Sequence, residues 1–288
     1  MAPPLLPPEP GSDDRPALVI GCGYLGRQVA GLWAVAGRRV CALTRGRCDE
    51  LASLGLDPIT GDVLEPDSLR ALPSASTVLY AVGMDRRSGR SLREVYVTGL
   101  ANVLAALPPC GRFVYVSSTS VYGQTDGSLV DEHSPTIAVE ESGHVILDAE
   151  RVLWEALPGA VVLRFAGIYG PDRLLRKQAL LKGEPLVGDA DKWLNLIHVA
   201  DGARAVLDAE ARGTPGETYL VADGTPVRRR EFYSHLARLL AAPPAAFSPA
   251  ESTATTETNR RVSNRKAREE LGFAPRYPSY VEGLAASV

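Results

Sequence analysis

The sequence predicts an α/β protein built on a doubly wound parallel sheet, and three observations carry that prediction. Five short apolar runs, Ala17 to Ile20, Arg39 to Leu43, Val78 to Val82, Arg112 to Ser117 and Val161 to Phe165, alternate with segments of helical periodicity. The first run ends in glycines spaced Gly21, Gly23 and Gly26, which open an amphipathic helix. With 288 residues, 45% hydrophobic, and a formal net charge of -3, the chain can fill a large core. It carries no global basic footprint for nucleic acid and no apolar run long enough for a membrane span.

Residues 1–16 are rich in proline, carry Asp13 and Asp14 and lack the basic start and apolar centre of a signal peptide. A disordered leader and a cytoplasmic protein are expected. After the first strand, Gly21 turns the chain, Gly23 lets the backbone approach a pyrophosphate, and Gly26 lets helix and strand pack closely. The phosphates then sit on the N-terminus of a helix that opens at Tyr24 and Leu25. This is the turn of a Rossmann-type sheet. Leu25, Val29, Leu32, Trp33 and Ala36 form the buried face of that helix, and Gly37 ends it.

Two later helices are expected over Ser91 to Leu107 and roughly His144 to Leu157, each with an apolar face at the same spacing. After Gly170-Pro171 the pattern is less regular. The expected division is a dinucleotide-binding core over residues 17–170 and a smaller substrate lobe over 171–288 that sends elements back to the core. The stretch from Pro243 to Thr258 reads as a mobile connection. Cys22, Cys41, Cys48 and Cys110 show neither disulfide nor metal-ligand spacing and are expected as reduced structural thiols, with no metal site.

The end of the second strand reads Leu43-Thr44-Arg45. A site selective for NAD places a carboxylate there to accept hydrogen bonds from the ribose hydroxyls. Arg45 instead offers a guanidinium fork suited to a 2'-phosphate, Thr44 offers a hydroxyl, and Arg47 adds charge nearby. NADP is the expected cofactor, with NAD as the alternative.

Several motifs together resemble the extended short-chain dehydrogenase/reductase family, which includes nucleotide-sugar epimerases and dehydratases. They are the glycine turn Gly21 to Gly26, Thr60-Gly61-Asp62-Val63, the stretch Tyr115 to Gly123, Leu163-Arg164-Phe165 and the stretch Asn195 to Asp201. The family's usual turn has two residues between its first two glycines, whereas only Cys22 stands here, which marks an atypical subgroup. The resemblance implies that Asp62 accepts from the adenine amino group with Val63 against the ring. It also implies that Ala81-Val82-Gly83 passes the adenosine ribose, and that the backbone of Phe165 to Ile168 passes the nicotinamide.

In the family a Ser or Thr orients the substrate oxygen while the Tyr of a YxxxK pair, acidified by the Lys, moves the proton. The resemblance places the orienting hydroxyl at Ser118 and puts Ser142 and Ile146 where Tyr and Lys are expected. A serine hydroxyl is a far weaker acid than a phenol and isoleucine supplies no charge, so that relay is lost. Ile146 reads as packing. Water, or a histidine such as His144, is left as the proton source, and His133 reads as a loop residue. His198 is expected to be buried and hydrogen-bonded near Asp201. The arginines Arg228 to Arg230, Arg260, Arg261 and Arg265 read as solvated faces.

The expectation is an atypical oxidoreductase that moves hydride between NADP and a small carbonyl or hydroxyl compound. Two alternatives stand beside it. One is a non-catalytic NADP-binding regulatory or interaction protein; the other is a nucleotide-sugar epimerase or dehydratase.

Overall fold

The computed structural model describes residues 14–85, 87–249 and 258–288. The expected leader up to residue 13, and residues 250–257 of the expected connection, lie outside the described residues. In chain order, β1 (Ala17–Ile20) leads into α1 (Tyr24–Val35), β2 (Val40–Thr44), α2 (Cys48–Ser53), β3 (Asp57–Thr60) and β4 (Thr77–Tyr80). A π-helical turn, Glu94–Thr98, runs into α3 (Gly99–Ala106), followed by β5 (Arg112–Ser118), β6 (Leu129–Val130), α4 (Glu141–Ala156), β7 (Val161–Phe165) and β8 (Gly167–Tyr169). The remainder comprises α5 (Lys177–Leu181), β9 (Leu186–Val187), β10 (Trp193–Leu194), β11 (Leu196–His198), α6 (Val199–Arg212), β12 (Thr218–Val221) and β13 (Val227–Arg228). It ends in α7 (Arg229–Leu239), β14 (Phe247–Ser248), β15 (Arg261–Val262), α8 (Arg265–Leu271) and α9 (Tyr280–Ala285).

Seven strands form one sheet in the order β12-β7-β5-β4-β1-β2-β3, and the pairs from β5 to β3 are parallel. Strand order reverses at β1, which lies between β4 and β2. Ile20 stands opposite both Leu43 and Tyr80, so the three strands reach their carboxyl ends at one level. Such a switch point is where ligands of these sheets bind. β1, β2 and β4 are buried along their whole length, as parallel strands covered on both faces should be. β3 is partly exposed and carries Pro58, which an edge strand tolerates.

Three predicted strands shift slightly: β2 is Val40–Thr44, β4 is Thr77–Tyr80 and β5 ends at Ser118. The helix expected from Ser91 does begin there. Ser91 and Glu94 form a capping box, with Ser91 N and Oγ donating to Glu94 Oε2 and Glu94 N donating to Ser91 Oγ at 3.1 Å. Its first part is π-helical, which side-chain periodicity does not encode.

The chain divides into two compact units, and the division falls within β5, α4, β7 and α6. The first holds the described residues up to Val116 together with Asp148–Val162 and Val206–Glu217. Its core includes Leu18, Ile20, Tyr80, Leu100, Phe113 and Leu153. At one edge of this unit Glu210 accepts from Trp33 Nε1 at 2.7 Å, Arg38 Nη1 at 2.6 Å and Thr77 Oγ1 at 2.5 Å. The second unit holds Ser117–Leu147, Leu163–Ala205 and the described residues from Thr218 on. There Tyr169, Leu196, Val227, Phe232, Leu236 and Leu284 pack into a separate core.

Candidate active site

The first unit builds the glycine turn at the carboxyl end of β1. Gly21 has φ +92°, and a Cβ on it would stand 2.5 Å from Ala81 C, so a side chain is excluded by conformation and by space. A Cβ on Gly26 would stand 2.4 Å from Gly21 O, so α1 packs against the turn as closely as backbone allows. Gly23 differs from both: a Cβ there would meet nothing within 4 Å. It faces open space as the N-cap of α1, with no side chain capping the helix and no acidic residue in its first turn. The positive end of the helix dipole is therefore left without a side-chain counter-charge in the first turn and can receive an anion. The space before Gly23, which a side chain would fill, fits the pyrophosphate of a dinucleotide.

Around that turn the structure assembles the other expected cofactor residues of the first unit. Ala81 N donates to Ile20 O at 2.7 Å, which ties the end of β4 to β1, and Gly83 faces open space. Asp62 forms a turn in which Oδ1 accepts from Leu64 N at 2.9 Å, while its own N–H donates to Ser68 Oγ at 2.9 Å. Val63 O accepts from Asn102 Nδ2 at 3.0 Å, which fixes this loop to α3. Thr44 is buried, and its Oγ1 accepts from Arg47 N at 3.2 Å. Arg45 is exposed and stands 3.6 Å from Asp85. Arg47 reaches the turn itself, where Nη2 donates to Cys22 O at 2.9 Å. Sequence reading ranked Arg45 first; the only sequence signal for Arg47 was its place two residues further along the same loop.

In the second unit, Ser118 ends β5 and its Oγ accepts from Ser120 N at 3.1 Å. That bond uses an oxygen lone pair and leaves the hydroxyl proton for another acceptor. The first turn of α4 lies against this segment, since a Cβ on Gly143 would stand 2.4 Å from Ser120 O. Ser142 is half-buried, Ile146 is buried and His144 is exposed. Tyr122 is fully buried, and its hydroxyl accepts from Arg164 Nη1 at 2.8 Å. Burial lowers the pKa of His198, whose Nδ1 accepts from Ala200 N at 3.2 Å and whose Nε2 stands 3.2 Å from Ser287 Oγ. This is the buried, hydrogen-bonded histidine that the sequence leads one to expect. Asp201 beside it accepts from the N–H groups of Arg276 and Tyr277.

The late arginines do not form a uniformly solvated face. Arg229 is buried and donates to Asp189 O at 3.0 Å and Val187 O at 3.1 Å. Arg228 stacks 3.8 Å above the Trp193 ring. Arg260 donates from Nη2 to Thr119 O at 2.6 Å, next to Ser118. Charge spacing reads such residues as surface because backbone carbonyls, their partners here, leave no trace in a sequence. Cys22 and Cys41 are buried, and burial pushes their thiols up. Among the described residues, no group of three His, Cys, Asp or Glu is placed to hold a metal, and no helix is long and apolar enough to cross a membrane.

Residues 17–222 match the family described as NAD dependent epimerase/dehydratase. Protein YeeZ of Escherichia coli strain K12 is 29% identical, with 90% of this chain and 95% of YeeZ covered. A 4-hydroxy-2-methyl-3-oxo-4-farnesyl-3,4-dihydroquinoline-1-oxide ketoreductase of Stigmatella aurantiaca is 28% identical, with 92% and 93% covered. Among solved structures, MoeE5 in complex with UDP-glucose and NAD superposes with a TM-score of 0.76 at 26% identity, covering 94% of this chain and 97% of MoeE5. The matched span takes in the glycine turn, Asp62, Ser118 and the buried His198, and on that basis the chain belongs to the NAD dependent epimerase/dehydratase family.

Proposed function

We propose that this chain is an NADP-dependent oxidoreductase that interconverts a carbonyl and a hydroxyl group on a small molecule. The observation that carries the cofactor preference is the end of β2. There the buried Thr44 hydroxyl and two arginines stand where an NAD site places a carboxylate, and Arg47 is already anchored on the glycine turn. A 2'-phosphate there would meet guanidinium forks on Arg45 and Arg47. The pyrophosphate would rest on the N-terminus of α1 at Gly23, Tyr24 and Leu25, with Asp62, Val63 and the Ala81 to Gly83 segment at the adenosine. Bound in that way, the nicotinamide supplies or accepts the hydride.

The protein's own part in the chemistry falls to Ser118. Its hydroxyl proton, not used toward Ser120, orients and polarises a substrate oxygen. Ser142 and Ile146 offer no phenol and no ammonium, so the proton comes from water relayed through Ser118. The Stigmatella ketoreductase, similar over nearly its whole length, supports the carbonyl reading. A nucleotide-sugar substrate is the second reading, favoured by the likeness to MoeE5.

The test is a fluorescence titration with NADPH and with NADH, repeated on Arg45→Ala and Arg47→Ala. NADPH is expected to bind at least tenfold more tightly than NADH, and both substitutions should erode that preference while leaving NADH affinity nearly unchanged. Equal affinity for the two cofactors in the native protein would remove the NADP assignment.

A further inference from the structure

We propose that Asp85 is an internal counter-ion that competes with the 2'-phosphate of NADP for Arg45, and that this competition sets how strongly the site prefers NADP to NAD. The inference rests on the reading of Arg45 as a receiver of the 2'-phosphate. Arg45 follows the last residue of β2, and Asp85 lies in the loop after β4, with β1 between the two strands. Neighbouring strands stand ~4.8 Å apart, which puts β2 and β4 roughly 10 Å from each other. Arg45 Nη2 lies 3.6 Å from Asp85 Oδ2, so the two side chains close that gap at the carboxyl end of β1 and join the loops that flank the glycine turn.

Asp85 is held in this position by its own loop. Met84 N donates to Tyr96 Oη at 3.1 Å, which ties the loop to the π-helical turn. Asp85 Oδ1 accepts from Arg87 N at 3.0 Å, while Asp85 O accepts from Ser88 N at 3.0 Å and from Ser88 Oγ at 2.7 Å. This turn engages Oδ1 and leaves Oδ2 for Arg45. Arg87 Nε stands 4.0 Å from Oδ1, but that side chain is 98% exposed and its charge is screened by water. Arg47 has a different anchor, the glycine turn at Cys22 O. Among the described residues, the Arg45 guanidinium has Asp85 as its partner and no other.

The contact is loose enough to exchange. Its 3.6 Å is longer than a hydrogen bond, and both side chains are half exposed. An exposed pair of this kind shifts an equilibrium by about fivefold at most. A phosphate monoester carries nearly two charges at neutral pH and can take the guanidinium fork through two parallel bonds, so it displaces the single carboxylate. The broken pair is nevertheless subtracted from the affinity for NADP. NAD brings no anion to this place, and its binding leaves the pair intact. Asp85 therefore narrows the preference that Arg45 creates.

The experiment is calorimetric titration of the full-length protein with NADPH and with NADH, in the native, Asp85→Asn, Arg45→Ala and doubly substituted forms. Asparagine keeps the Oδ1 acceptor that the turn uses and loses the charge, so all four proteins are expected to melt within a few degrees of one another. Asp85→Asn should bind NADPH about threefold to fivefold more tightly with NADH affinity unchanged, and the gain should vanish where Arg45 is already alanine. Unchanged or weaker NADPH binding in Asp85→Asn, an equal gain for both cofactors, or a gain that persists without Arg45 would each overturn the proposal. A native protein that binds the two cofactors alike would instead contradict the NADP assignment; a preference for NADPH that then emerges in Asp85→Asn would still support the counter-ion.

Discussion

Asp223, two residues beyond β12, is a carboxylate far from its ordinary range. Burial pushes its pKa up to about 7; the N–H of Thr225, donated to Oδ1 at 2.9 Å, works against that shift, and the charges of Asp201 and Glu282 add to it. Oδ2 is enclosed without a partner. The folded chain therefore holds a proton that the unfolded chain releases near pH ~3.9. Between those two values the native state binds more protons than the unfolded state, so stability declines as pH rises from about 4 to about 7, by ~1.4 kcal/mol per unit at most. Asp223→Asn should remove this slope and raise the melting temperature at pH 8 more than at pH 5. Thermal melts at both values check it, and an equal shift at both would contradict the assignment. None of this is visible in the sequence, where Asp223-Gly224 reads as an ordinary turn. The same holds for Arg260, whose partner Thr119 is 141 residues away.

At the scale of the element, the glycine turn and α1 were legible because their constraints are local. Spacing alone assigned Gly21 to the tight turn, Gly23 to an open approach and Gly26 to close packing, and the geometry separates the three in the same way. The separation is testable. Gly21→Ala puts a Cβ 2.5 Å from Ala81 C at φ +92° and should cost ~3 kcal/mol or more of stability. Gly23→Ala meets no protein atom within 4 Å, so it should melt within a few degrees of the native protein. It should nevertheless bind NADPH at least tenfold more weakly, because the methyl group occupies the phosphate's place. Denaturant curves and NADPH titrations on the two variants distinguish stability from binding. α4 was legible for a different reason: its face periodicity predicted the burial of Ile146, though its start at Glu141 rather than near His144 depends on contact with the Ser120 segment.

Across the whole molecule, parallel pairing followed from the alternation of apolar runs and helices, whereas the composition of the first unit did not. That unit includes Val206–Glu217, and the sequence offers no local sign that this segment is needed there. Glu210 explains the need, since it satisfies Trp33, Arg38 and Thr77 together. A fragment that ends at residue 170 should therefore lack a cooperative melt even though it contains the entire glycine turn. Adding Val206–Glu217 as a separate peptide should restore part of the transition, and a fragment that melts cooperatively without it would refute this reading. The Glu210 contacts also bear on how the chain is made. Trp33 and its acceptor are 177 residues apart, so at ~5–20 residues per second a ribosome needs about 10–35 s to deliver the second after the first. During that interval the side chains of Trp33, Arg38 and Thr77 have no Glu210 carboxylate to donate to, so this set of contacts can close only after α6 has been made.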